Sequence, residues 1–311
     1  WQSYGQDGDV DGIYAKLYDP SGNNKTGEIS VNGYTTSYQR DPCVHGFSDG
    51  SFVVAWESYG QDGDRYGIYF KLFDSTGNNK TDDILVNGYT TNNQKYPSVC
   101  VFSDGSFVVA WQSYGQDGNH NGVFMKLFDS TGSNRTDDIQ VNDFTTNDQN
   151  IPRVCGFTDG SFVATWQSEG QDGDDFGIYM KLYNSDCSNK TGEIRVNGNT
   201  TNGQSVPSAC ALSSGLFMVV WQSETSTDNF DIFAKIFDSN GQNLTDDALV
   251  NVNTTNSQNM PTICGLTSGS FVVAWESSGQ DGDGYGIYFR TGSVPQAAAP
   301  YGVFVYAVFL M

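Results

Sequence analysis

The chain has 311 residues, with 36 acidic and 15 basic side chains, a net charge of −21 and a pI near 4.1. No basic stripe of the kind that grips a phosphate backbone is present, which argues against a nucleic-acid partner. No stretch reaches the roughly 18–20 apolar residues of a membrane helix, and the apolar set, dominated by Tyr, Phe, Val and Ile, favours strands.

In chain order, the first residues read as the tail of a strand. "GIYAKLYD" (12–19) and "GEISVN" (27–32) follow as two more strands. Fuller units then begin near Pro42, Pro97, Pro152 and Pro207, and a last one begins at Pro261 and breaks after "GIYFR" (286–290). Trp1, Trp56, Trp111, Trp166, Trp221 and Trp275 lie 55, 55, 55, 55 and 54 residues apart, so the whole chain repeats in register. A fixed period of this size is read before any local motif. The unit at 97–142 parses as "PSVCVF", a turn "SDG", "SFVVAW", a polar turn "GQDGNHN", "GVFMKLFD", a turn "STGSNRT" and a more polar "DDIQVN". Four short strands joined by Gly and Asp turns describe an antiparallel meander.

Six such units, starting near residues 1, 42, 97, 152, 207 and 261, predict an all-β fold: a six-bladed β-propeller of four-stranded antiparallel blades over 1–290. A β-solenoid is the competing repeat fold, but its rungs are shorter. The segment 291–311 contains "PQAAAPYGVFVYAV", which aligns with the first two strands of a unit. It is expected to join residues 12–32 in a blade built from both chain ends, or to pass to a neighbouring copy. The unit ending at Arg290 lacks a fourth strand and would show an open edge. The apolar residues Val303, Phe304, Val305, Tyr306, Val308 and Phe309 are the candidate assembly strand. The chain opens at Trp1 without an initiator Met, which reads as a processed or partial chain.

Asn24, Asn79, Asn134, Asn189 and Asn243 each stand two residues before a Thr, at one position of the repeat. Asn199 and Asn253 add two more such patterns between units. Each is an N-glycosylation acceptor pattern, and a ring of glycans favours a secreted, extracellular protein. A plain Asn/Gly turn is the alternative.

The turn "GQDGD" places Asp7 with Asp9, Asp62 with Asp64, Asp172 with Asp174, and Asp281 with Asp283, two residues apart. Alternating carboxylates around glycines can wrap Ca²⁺, although no bidentate Glu follows at a fixed distance. Asp-Gly is also the strongest hairpin dipeptide, and turn chemistry is the preferred reading. Cys100, Cys155, Cys210 and Cys264 share one repeat position, with Cys43 and Cys187 elsewhere. Neighbouring inner strands hold them too far apart for disulfides, which leaves buried free thiols.

An enzyme is not expected. Arg40, Arg65, Arg135, Arg153, Arg195 and Arg290 fall at different repeat positions, His45 and His120 share none, and the sialidase-type Asp turn is matched only loosely by "SDGSFVVAW". A catalytic site usually breaks repeat symmetry with unlike residues, and these loops stay alike. With its "DGSFVVAW" core and "GIYxKLFD" strand, the chain resembles the tandem propeller-type repeats of large secreted and cell-surface proteins, over about residues 1–290. The resemblance implies adhesion or matrix roles. The expectation is therefore a non-enzymatic, glycosylated building block that assembles with copies of itself by strand exchange. A Ca²⁺-dependent or lectin-like binding module is the alternative.

Overall fold

The computed structural model describes residues 1–212, 215–226, 229–266, 269–294 and 308–309. Their regular structure is almost entirely strand, arranged in six sheets. The first sheet has three strands, β1 (Gln2–Tyr4), β2 (Asp11–Ala15) and β3 (Ile29–Ser30). The second is β4 (Gln39–Gly46), β5 (Phe52–Tyr59), β6 (Tyr66–Phe73) and β7 (Ile84–Leu85), paired in that order. The third repeats it with β8 (Gln94–Val101), β9 (Phe107–Tyr114), β10 (Asn121–Phe128) and β11 (Ile139–Gln140). The fourth is β12 (Gln149–Gly156), β13 (Phe162–Glu169), β14 (Phe176–Tyr183) and β15 (Ile194–Arg195). The fifth is β16 (Gln204–Ala211), β17 (Leu216–Ser226), β18 (Asn229–Asp238) and β19 (Ala248–Leu249). The sixth is β20 (Gln258–Gly265), β21 (Ser270–Ser278), β22 (Tyr285–Ser293) and β23 (Val308–Phe309). The chain divides into two compact units, 1–154 and 155–311.

The middle strands are apolar on both faces because both faces are covered. In β5 every residue from Phe52 to Ser58 is buried, and in β6 every residue from Gly67 to Phe73. Trp56, Trp111, Trp166 and Trp221 are fully buried. In the first unit, Phe70 of the second sheet packs edge-on against Phe107 and Phe128 of the third, with ring centroids 5.2 and 4.9 Å apart.

Charge also ties neighbouring sheets together. Lys71 of β6 is buried, donates to the Val31 carbonyl at 2.6 Å and pairs with Asp83 at 2.8 Å. Asp83 in turn accepts the Gly33 and Tyr34 amides of the preceding repeat. Lys126 repeats this with Val86 and Asp138, and Lys235 with Val196 and Asp247. A buried ammonium is tolerated because every contact satisfies it.

Two expectations change. The fourth strands shrink from six residues to two, because the Asn at their end replaces the ladder: Asn87 accepts the Ile68 amide through Oδ1 at 2.7 Å. The terminal segment was expected beside residues 12–32. Instead Val308 and Phe309 pair with Ser293 and Gly292 of β22, in the fourth-strand place that the sequence left open. The first sheet keeps three strands. Val303, Phe304, Val305 and Tyr306 lie outside the described residues.

Each full first strand bulges just before its proline. The register shifts between Arg40 and Cys43, Lys95 and Ser98, Ser205 and Ser208, and Asn259 and Thr262. The residue preceding the proline takes a positive φ: Asp41 at 48°, Tyr96 at 54°, Ile151 at 51°, Val206 at 52° and Met260 at 52°. L-residues there, two of them β-branched, are strained and persist only where the surroundings hold them. Such bulges re-aim side chains.

Candidate functional site

The corner sequons are exposed. Asn24, Asn79, Asn134, Asn189 and Asn243 each form an isolated bridge to the end of a third strand, and all five face solvent. The Thr of each pattern has a structural task. Thr26, Thr81, Thr136, Thr191 and Thr245 accept a strand amide through Oγ1 at 3.0–3.1 Å. Asn199 and Asn253 accept the amides of Thr201 and Thr255, as Asx turns do.

The acidic turns hold themselves together. Asp7 accepts the Asp9 amide and the Asn32 side chain, while Asp9 caps the Ser37 amide at 2.8 Å. Asp62 and Asp64 do the same with Asn87 and Asn92, and Asp172 and Asp174 with Asn197 and Asn202. Asp281 accepts the Asp283 amide. A Cβ at Gly12, Gly67, Gly177 or Gly286 would collide with the Asp carboxylate of its own turn, which explains the fixed Asp-to-Gly spacing. Among the described residues no three His, Cys, Asp or Glu side chains gather as a metal site would need. The six cysteines form no disulfide among the described residues.

Sequence reasoning missed a place in the first unit where the repeat is broken by charge. In the third to sixth sheets the bulged amide is held by a side chain from the preceding second strand. Gln112 Oε1 accepts the Ile151 amide at 3.2 Å, Gln167 that of Val206 at 3.0 Å, and Gln222 that of Met260 at 3.0 Å. At the third sheet this partner is a glutamate. Glu57 Oε1 accepts the Tyr96 amide at 2.6 Å, and Glu57 is 1% exposed. Burial pushes its carboxyl up to about 8, opposed by the Tyr96 amide and reinforced by the charge and hydrogen bond of Asp41. Asp41 itself sits at the strained bulge of β4, exposed to solvent.

Unlike groups surround this pair. Arg40, beside Asp41, bonds Asp11 through Nε at 2.6 Å, and its guanidinium lies 4.0 Å from the Tyr38 ring centre. Hydrogen bonding to Asp11 raises the Arg40 pKa. Lys95 lies 4.3 Å from the Tyr66 ring centre. Burial raises the Tyr66 and Tyr96 hydroxyls, against the pull of Arg40 in the case of Tyr66. Arg153 of β12 carries a guanidinium lowered by burial and coupled to Cys43 and Asp41, and Cys43 is pushed up to about 12 by burial. A visible signal existed. The pair preceding the proline is Arg-Asp at 40–41, but Lys-Tyr, Asn-Ile, Ser-Val and Asn-Met at the later repeats.

No family model matches the chain, and no curated protein matches it. Solved structures do. An α-L-arabinofuranosidase of Fusarium graminearum, a mutant bound to an iminosugar inhibitor, aligns over 90% of this chain and 85% of that one at 11% identity and a TM-score of 0.61. The arabinofuranosidase from that organism with arabinobiose aligns over 89% and 85% at 11% identity, TM-score 0.58. An α-L-arabinanase of Penicillium chrysogenum with arabinobiose aligns over 89% and 85% at 15% identity, TM-score 0.57. These likenesses identify the fold as the β-propeller, and six sheets fit the predicted six blades.

They also correct the functional expectation. A non-enzymatic, self-assembling building block, with a lectin-like module as alternative, rested on loops that stay alike and on scattered charges. The described residues gather unlike charges at Asp11, Arg40, Asp41, Glu57 and Lys95, and the three solved structures above that share the fold are two arabinofuranosidases and an arabinanase.

Proposed function

We propose that the chain is a carbohydrate-active enzyme that hydrolyses a glycosidic bond with Glu57 as the proton donor. The observation that carries this reading is the carboxyl of Glu57. It stands where three later repeats use glutamine (Gln112, Gln167 and Gln222) and the last again uses glutamate (Glu276), is buried, and is held protonated around neutral pH against a second carboxylate. Glycosidases divide acid and base work between two carboxyl groups whose environments push their pKa values apart. Glu57 is the proton donor to the leaving oxygen, and the Asp41 carboxylate hydrogen-bonded to it keeps that proton in place; at hydrogen-bond distance Asp41 is too close to Glu57 to serve as the second catalytic carboxylate. The Arg40–Asp11 pair and the stack on Tyr38 fix the bulge beside them. Tyr38, Tyr66 and Tyr96 supply flat faces against which sugar rings can pack.

The fold's company supports the class of chemistry by analogy, and α-L-arabinosyl glycosides and arabinan are therefore the first neutral substrates to try. The exposed sequons support action outside the cell, with glycans on the corner asparagines. Among the described residues no helix is long and apolar enough to cross a membrane. The test is reducing-end release from a panel of neutral and acidic glycans by the wild type and by Glu57→Gln. Release by the wild type that the variant loses supports the reading, and equal release by both removes it.

A further inference from the structure

We propose that Cys155 and Cys210 are a dithiol pair that exchanges with low-molecular-weight disulfides, with Cys210 as the attacking sulfur and Cys155 as the sulfur that completes the bridge. This stands apart from the hydrolase reading and uses none of its residues. Three thiols share one repeat position in consecutive first strands of the second unit: Cys155 of β12, Cys210 of β16 and Cys264 of β20. The first two each reach the backbone of the next sheet. Cys155 Sγ accepts the Ala211 amide at 3.0 Å, one residue along from Cys210. Cys210 Sγ accepts the Gly265 amide at 2.8 Å, one residue along from Cys264. A Cβ at Gly265 would meet the Ala211 carbonyl and the Cys210 sulfur, so glycine there lets the two strands close on that thiol.

Cys210 is set apart by what it faces. Its sulfur receives two donors, the thiol of Cys155 and the Gly265 amide. Its own bond to the Ala211 carbonyl is longer, at 3.4 Å. Hydrogen bonds donated to a sulfur favour the thiolate, which is the form that attacks. The bond from Cys155, helped by the Gly265 amide, outweighs burial and brings the Cys210 thiol down to about 7, whereas burial drives Cys43 up to about 12. Cys155 and Cys210 are both partly open to solvent, so a small disulfide can reach them. The exchange balances without another reagent. The Cys210 thiolate attacks one sulfur of the small disulfide, whose S–S bond breaks, and the thiolate that leaves takes up a proton. Cys155 then gives up its proton and attacks the Cys210 sulfur of the mixed disulfide, and the second small thiol leaves. Two protein thiols are oxidised to one disulfide between β12 and β16, and one small disulfide is reduced to two thiols.

The experiment adds oxidised glutathione to the reduced full chain, traps the remaining thiols with N-ethylmaleimide at timed intervals, and reads the peptides by mass spectrometry without reductant. The wild type is expected to lose the mass of two hydrogens and to yield one linked peptide pair carrying Cys155 and Cys210. Cys155→Ser should stop at glutathione held on Cys210, because no second sulfur follows. Cys210→Ser should take up glutathione on Cys155 about 10-fold more slowly than Cys210 does in the wild type, because it lacks the attacking thiolate. If either variant fails to fold, the wild type carries the test by itself: the linked pair must be Cys155 with Cys210, and a transient glutathione adduct on Cys210 must precede it. A link between Cys210 and Cys264, a first adduct on Cys155, a wild-type adduct that never resolves, or all six thiols left unchanged overturns the inference. Glycan release bears on none of these outcomes, so the inference and the hydrolase reading stand or fall separately.

Discussion

Glu57 accepts the backbone amide of Tyr96 at 2.6 Å, the task that Gln112 performs for Ile151 at 3.2 Å one repeat later. A neutral amide suffices to hold a strained bulge. A carboxyl in the same buried position works only if it stays protonated, and it then has a proton to give. This substitution separates a scaffold position from a chemical one.

The first prediction concerns stability. The folded Glu57 carboxyl titrates at about 8, above its ordinary value of 4.5. Below the ordinary value both states are protonated and the full stability is present. As pH rises toward 8 the unfolded state ionises first, so stability falls by at most about 1.4 kcal/mol per pH unit. Glu57→Gln removes this slope. Urea midpoints at pH 5 and pH 8 should coincide more closely in the variant, which should be the more stable protein at pH 8. A wild-type slope that persists in the variant assigns the effect elsewhere.

The second concerns rate. If Glu57 is the general acid, kcat/KM should fall on the basic side with a limb near its pKa of about 8. Asp41→Asn removes a charge that raises Glu57, so the limb should move to lower pH. A limb that stays in place means Asp41 does not sense the proton donor.

A third separates sugar from scaffold at the corner sequons. Asn79→Gln should remove one glycan, seen by mass, with little change in stability. Thr81→Ala should remove the same glycan and also cost about 1 kcal/mol, because the Leu72 amide loses its acceptor. Equal stability of the two variants contradicts the role given to the hydroxyl.

A fourth concerns the buried lysines. Lys71→Met leaves Asp83 without its cation although Asp83 remains enclosed. Breaking one partner of such a pair costs about 3–5 kcal/mol. Lys71→Met combined with Asp83→Asn should recover part of that loss. A single variant as stable as the wild type contradicts the clamp.

Chelation supplies a fifth. Asp62 and Asp64 are taken up by Asn87, Asn92 and their own turn, so excess chelator should leave the melting temperature unchanged. A drop that added Ca²⁺ restores would return the turn to the metal reading.

The architecture was legible because the repeat writes it five times over. Each Trp, each Asp-Gly turn and each proline marks one recurring place, and their spacing sets the strand order. The terminal strand was misplaced because its likeness to an inner strand outweighed the simpler demand of β22 for a partner. The site was missed for a related reason. The loops stay alike, whereas the charges that break symmetry lie inside a strand, at Arg40 and Asp41. Glu57 differs from Gln112 by one atom type. Only the bulge that aims Asp41 at it, and the burial that keeps its proton, give the difference a meaning, and neither is written in one repeat alone.

The most direct measurement is reducing-end release from neutral and acidic glycans at pH 6, wild type beside Glu57→Gln, with folding of both confirmed by urea titration. The account predicts release by the wild type and a loss of about 100-fold or more in the folded variant. Undiminished release by a folded Glu57→Gln protein, or none by the wild type on any glycan, would contradict it.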